Sequence, residues 1–300
     1  MKLVQCVPNF SEGRREEVID EIVAELDDHD ADVLDVSPDA DHNRTDVTFI
    51  ATPEVAKDAA MDLALKAVEL IDMREQEGEH PRMGAIDVVP FIPLMDTEMD
   101  ECVALAEAFA EEFAERTEVP TYLYEDAARK PERQNLANIR EGEFEGLSEE
   151  IGSNPEKEPD FGPNHIHETA GATAVGARFF LVAFNVNLDT EDLDVAQEIA
   201  RNVRHSSGGY RHVKAMGFEI EDRGIVQVSM NMTDFRGTPL FRVFETIKDE
   251  ANRHGVDVVG SELVGQIPME ALVDVADHYL RLEDFEMEQV LEQRLLEEQQ

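Results

Sequence analysis

The strongest constraint on this chain is the order in which apolar runs and amphipathic stretches alternate. The first half reads strand 3–7, helix 15–26, strands 33–36 and 46–51, helix 54–71 behind Pro53, and strand 86–94. In the first helix Val18, Ile19, Ile22, Val23 and Leu26 share one face. The second half repeats the order: strand 179–186, helix 192–204, and strands 214–221 and 225–231 turning at Asp222-Arg223-Gly224. Helix 240–254, ended by Gly255, and strand 256–261 complete it. Each half is β-α-β-β-α-β, the ferredoxin-like split. The sequence therefore predicts an α/β (α+β) protein of two ferredoxin-like subdomains, with a small-molecule cleft between them. A helix at 100–116 and a strand at 121–124 extend the first series, and a helix at 269–280 closes the second. Residues 125–160 read as a helix containing Leu136 and Ile139 and then a Gly/Ser/Asn/Pro-rich connection. Residues 283–300 read as a charged helical tail.

Four polar segments leave predicted strand ends or their connections: 8–13, 37–45, 78–87 and 160–173. Loops held by rigid strands are where chemistry concentrates. In Gly78-Glu79-His80-Pro81-Arg82-Met83-Gly84-Ala85-Ile86-Asp87, Pro81 keeps His80 out of helical geometry, ahead of the apolar run 88–94. His80 can titrate near neutral pH, which suits acid–base work; a solvated turn histidine is the alternative. His165 and His167, with His42 or His80, invite a zinc reading, but the usual Cys/His and HExxH spacings are missing. No Walker loop, dinucleotide fingerprint or serine-centred elbow is present.

Charge narrows the partners. The chain has 68 acidic against 26 basic residues, a net charge of -42, and only 7 of the bases are lysine. The acids are spread over helix faces, as in Asp27-Asp28, Glu111-Glu112 and Glu191-Asp192. Such a surface suits a high-salt cytoplasm, where self-repulsion is screened. It argues against nucleic acid and anionic membranes as partners. Cys6 and Cys102 form no disulfide or metal framework, which fits a reducing cytosol. No apolar run reaches membrane-spanning length, and residues 1–20 lack a signal-peptide core, so the expected location is cytoplasmic.

Several segments fall in collinear order: residues 6–13, Asn43-Arg44-Thr45, residues 78–87, residues 120–124 with Ala127-Ala128-Arg129, Asp160-Phe161-Gly162-Pro163, and Gly171-Ala172-Thr173 with Gly176-Ala177-Arg178. Together they resemble the glutamate formiminotransferase family, and the resemblance runs through residues 259–265. It implies a formiminotransferase N-terminal subdomain over 1–178 and a C-terminal one over 179–300, with a substrate tunnel or cleft between them. It implies transfer of a formimidoyl group from N-formimidoyl-L-glutamate to N5 of tetrahydrofolate, which serves as co-substrate, with no metal expected. The family's catalytic histidine falls on His80. Its folate-binding stretch falls on Gly162, Pro163, Asn164, His165, Ile166, His167, Glu168, Thr169, Ala170 and Gly171. Animal members carry more apolar and aromatic residues where 165–170 stand here.

The reaction asks for more groups. A carboxylate would stabilise the amidinium, and Asp39 and Asp41 are candidates, although the family's acidic residue aligns nearer Ser37. Both substrates carry carboxylates, which Arg44 and Arg82 could clamp bidentately, with Arg178 a weaker candidate. For each arginine an internal ion pair is the alternative. Formyl transfer from N-formylglutamate or 5-formyltetrahydrofolate, a folate binder without turnover, and a metal-binding module on His42, His165 and His167 remain open. Partners expected are the small-molecule substrates, a second copy in a homodimer, and a separate cyclodeaminase acting on the product.

Overall fold

The computed structural model describes residues 1–78 and 81–298. His80 and its neighbour Glu79 lie outside the described residues. Two compact units make up the chain, Met1–Arg178 and Phe179–Gln300.

In the first unit a strand broken into β1 (Leu3–Cys6) and β2 (Asn9–Phe10) is followed by α1 (Glu16–Ala24), β3 (Asp32–Asp39), β4 (Arg44–Ala51), α2 (Pro53–Leu70) and β5 (Ile86–Leu94). Both β1 and β2 pair antiparallel with β4 on one side and β5 on the other, and β3 adds outside β4. This is the split β-α-β-β-α-β order expected from the sequence. The break falls at Val7-Pro8, which passes Val89-Pro90 of β5. Val7 donates its N–H to the Pro90 carbonyl, and Pro8, which has no N–H, accepts from Val47.

The sheet then continues beyond β5. Helix α3 (Met99–Thr117) leads to β6 (Thr121–Glu125), and two short helices, α4 (Leu136–Ile139) and α5 (Glu143–Glu150), lead to β7 (Thr173–Ala177). Strand β7 inserts between β5 and β6, parallel to both. The sequence reading stopped short of this strand. Its five residues, Thr-Ala-Val-Gly-Ala, are all buried, so no alternation marks them. Helix α3 begins with a reciprocal capping box between Glu98 and Glu101. Its Phe109 stacks on Phe113 and meets Phe91 of β5 edge-on, which ties the helix to the sheet core.

The second unit has β8 (Val182–Leu188), α6 (Leu193–Val203), β9 (Val213–Ile220), β10 (Ile225–Met232), α7 (Leu240–Arg253), β11 (Val258–Val264), α8 (Met269–Leu280) and α9 (Leu291–Glu298). Its antiparallel sheet has the order β11-β8-β10-β9. Strand β8 starts three residues later than the periodicity suggested. Val182, Val186, Val226, Val228 and Met230 alternate onto one face and pack with Ile199 and Val203 of α6 and Val243 and Ile247 of α7. Among the described residues no helix is long and apolar enough to cross a membrane.

Candidate functional site

At one end of the first sheet β2 and β3 finish while β4, β5 and β7 begin, so four connections meet there, the β3–β4 hairpin among them. Backbone and short polar side chains tie them together. Ser11 donates its N–H to the Ala85 carbonyl at 2.9 Å and its hydroxyl to the Gly84 carbonyl at 2.8 Å. The Thr45 hydroxyl donates to the Glu12 carbonyl, and the Asn43 side chain accepts from Gly13 and donates to the Glu77 carbonyl. Gln76 reaches back to the Asn43 carbonyl at 2.8 Å. Gly78 approaches the 37–45 connection so closely that a Cβ there would sit 2.2 Å from the His42 carbonyl. The described ends of the His80 loop are thus pinned on both sides.

The same end brings the 78–87 and 160–173 segments together. Gly84 and Gly171 form an isolated bridge, with Ala172 donating to the Met83 carbonyl and Ala85 donating to that of Ala170, both at 2.9 Å. Gly171 has φ 73°, and a Cβ on it would lie 2.2 Å from the Met83 carbonyl oxygen. Only glycine meets both demands. His167 and Gly171 close a tight turn by two mutual backbone bonds, and His167 Nδ1 accepts from the Ala170 N–H, so the neutral ring carries its proton on Nε2. Thr169 accepts from Met73, and Glu168 pairs with Arg74 at 2.8 Å.

The structure divides the stretch 162–171. Its second half, His167 to Gly171, joins the cluster. Ile166 packs in the small core of Met83, Tyr122 and Ala172. Gly162, at φ 85°, lies against Val119 and Pro120 at the end of α3, and Asn164 passes over Gly152. His165 is exposed and Pro163 half-buried.

Charged groups sort into two sets. Arg44 pairs with Asp46 at 2.5 Å, and both line a cavity of about 290 Å³ with Ser37, Pro38, Asp39 and His42. The Asp39 carboxyl is held below the usual range by the His42 backbone N–H and then by the His42 ring, 2.7 Å away. Asp41 is exposed at the tip of the same connection. Arg82, expected as a carboxylate clamp, is arranged differently. Its Nε meets the Gln76 side chain, its Nη1 meets Glu143 and Glu145, and its Nη2 meets Glu145 and the Gln76 carbonyl, all within 3.1 Å. Every N–H of the guanidinium is engaged. Burial works against its charge, and the Glu145 and Glu143 hydrogen bonds outweigh that, keeping it above its ordinary pKa. Next to it, Asp87 accepts the Met83 N–H at 2.8 Å and pairs with Arg140. Sequence reading missed Gln76, Arg140, Glu143 and Glu145. Each acts by pairing across a connection, which leaves no local pattern. Among the described residues no three His, Cys, Asp or Glu side chains gather as a metal-holding group.

Fold and site define a two-unit α/β protein whose motif loops converge at one sheet end. Residues 3–178 match the formiminotransferase domain, N-terminal subdomain, and residues 183–297 match the formiminotransferase domain. The chain is 50% identical to the glutamate formimidoyltransferase of Streptococcus pyogenes serotype M1, over 98% of this chain and 99% of that one. It is 44% identical to that of Thermoplasma acidophilum, over 98% of each. It is 45% identical to the formimidoyltransferase-cyclodeaminase of Rattus norvegicus, over 93% of this chain and 52% of the rat protein. The chain belongs to the formiminotransferase family.

Proposed function

We propose that this chain moves the formimidoyl group from N-formimidoyl-L-glutamate to N5 of tetrahydrofolate, giving 5-formimidoyltetrahydrofolate and L-glutamate. The observation that carries the reading is the near full-length relation to glutamate formimidoyltransferases at 44% and 50% identity. The convergence of the motif loops at one sheet end agrees with it.

In this reading N5 attacks the amidine carbon and a tetrahedral intermediate forms. The bond from that carbon to the glutamate nitrogen then breaks. N5 must lose a proton and the departing nitrogen must gain one. A single imidazole, His80, serves as base and then acid. Asp39, kept ionised by His42, supplies negative charge for the amidinium, with Asp41 further out. Arg44 takes a substrate carboxylate at the cavity it lines. The turn His167 to Gly171 takes part of the folate. Arg82 is assigned as a strut that holds the loop to α5. The product is a substrate for a cyclodeaminase, and the enzyme works in a cytoplasm of high salt.

The test is turnover of purified protein. His80→Ala should lower kcat by about two to four orders of magnitude. Arg82→Ala should lower kcat and thermal stability together, with KM little changed. Near-normal turnover in His80→Ala removes that residue from the chemistry, and an Arg82→Ala effect confined to KM restores it as a substrate clamp.

A further inference from the structure

Strands β3 and β4 and the turn between them carry the cavity that Arg44 and Asp46 line. These two residues stand two apart on β4, so their side chains leave the same face of the strand. In the β3–β4 register Asp39 lies opposite Arg44, and Ser37 lies opposite Asp46. The four positions make one cross-strand patch. Within it Arg44 Nη2 meets Asp46 Oδ2 at 2.5 Å.

That pair uses only half of the Asp46 carboxylate. Its Oδ1 is buried and, among the described residues, accepts no hydrogen bond. The side-chain donors directly across from it in register are committed elsewhere. Ser37 donates its hydroxyl to Asp35 at 2.6 Å. Asn9 of β2, on the other side of Asp46, donates its amide to the Val7 carbonyl at 3.0 Å. Most buried polar atoms in folded proteins find a partner, and leaving a charged one without is costly. Asp39 differs. Its Oδ1 accepts from the Asp41 and His42 N–H groups, and its Oδ2 meets the His42 ring at 2.7 Å. Of the two carboxylates on the cavity, Asp46 is the one with accepting capacity left.

Arg44 and Asp46 offer a cation and an anion side by side. A ligand that carries its own anion and cation as neighbours can enter between them and exchange one ion pair for two. N-formimidoyl-L-glutamate is such a molecule. Its α-carboxylate and its amidine nitrogen hang on one carbon, and the protonated amidine is a planar cation whose paired N–H groups match a carboxylate as a guanidinium does. The formyl analogue has the same carboxylates but presents an oxygen where the amidine presents N–H. It would draw Arg44 away and leave Asp46 with no donor and a second acceptor in front of it. Resting on the transfer reaction proposed above, we propose that Asp46 receives the amidinium of the donor when Arg44 turns to the donor's carboxylate, and that this exchange selects a formimidoyl over a formyl donor. Asp39, with its oxygens occupied, adds negative charge from the neighbouring position.

The experiment measures binding of N-formimidoyl-L-glutamate and N-formyl-L-glutamate to the full chain without tetrahydrofolate, so that no turnover occurs. The wild-type chain should bind the formimidoyl compound about tenfold or more tighter than the formyl one. Asp46→Asn, which keeps the size of the side chain, should weaken the formimidoyl compound by about that factor and bring the two affinities together. Arg44→Gln removes the clamp common to both compounds. It should weaken both and leave the preference in place, which keeps the test decisive if Asp46→Asn does not fold. No binding of either compound or equal affinities in the wild type, a preference that survives in folded Asp46→Asn, or one that disappears in Arg44→Gln would overturn the assignment. Failure of the transfer reading is read separately, as absence of glutamate release by the wild-type chain supplied with both substrates.

Discussion

Asp87 is almost wholly buried, and both of its carboxylate oxygens are committed, one to the Met83 N–H and one to Arg140. Removing one charge of such a pair leaves the other buried and unpaired, at a cost of about 3–5 kcal/mol. Asp87→Asn should therefore lower stability by an amount of that order in denaturant unfolding. The double variant Asp87→Asn/Arg140→Met should recover a large part of it, because no lone charge remains. A single variant costing no more than a surface change would show that the pair is not carrying the loop. Asp87 was visible in the sequence as the last residue of the 78–87 motif. Its partner stands 53 positions away in a stretch that reads as a mere connection, so the pair was not. The two cysteines make a second prediction. Burial pushes the Cys102 thiol up to about 12 and the Cys6 thiol higher still. Both stay protonated at neutral pH, so iodoacetamide should label neither in the folded protein and both after denaturation. Labelling of the native chain would contradict their packing.

Between elements, the close approach of the 83–85 and 167–172 segments depends on Gly84 and Gly171. Gly171→Ala adds left-handed strain of about 1–2 kcal/mol and drives a Cβ into the Met83 carbonyl. Gly208, at φ 95° with open space around it, carries the strain alone. Thermal melts should show Gly171→Ala clearly less stable than Gly208→Ala, and only the former should also lose turnover. Equal losses would mean that the two segments separate without consequence. Long periodic helices and half-buried strands were legible from sequence, as α2, α6 and α7 illustrate. Strand β7 was not, because a short run of small residues buried on both faces has no period to read. The connection 37–45 reads as a polar loop, but β3 extends through Asp39. Its residues are largely exposed, so burial had imposed no alternation on them.

Across the whole molecule the doubled β-α-β-β-α-β order was readable because each half has its own amphipathic helices and strands. What connects distant loops was not, because hydrogen bonds such as Thr45 to Glu12 leave no trace in composition. Net charge acts at this scale as well. With -42 charges on 300 residues, repulsion opposes the compact state. Raising salt from dilute buffer to molar concentration shortens the screening length to about 3 Å. The melting temperature should rise steadily over that series, whereas a flat response would remove the high-salt reading.

The central claim is the transfer itself. Purified chain with tetrahydrofolate in high salt should release glutamate from N-formimidoyl-L-glutamate, in step with 5-formimidoyltetrahydrofolate. It should do so far faster than from N-formylglutamate. Glutamate release from the formyl donor at an equal or greater rate, or from neither donor, would contradict it.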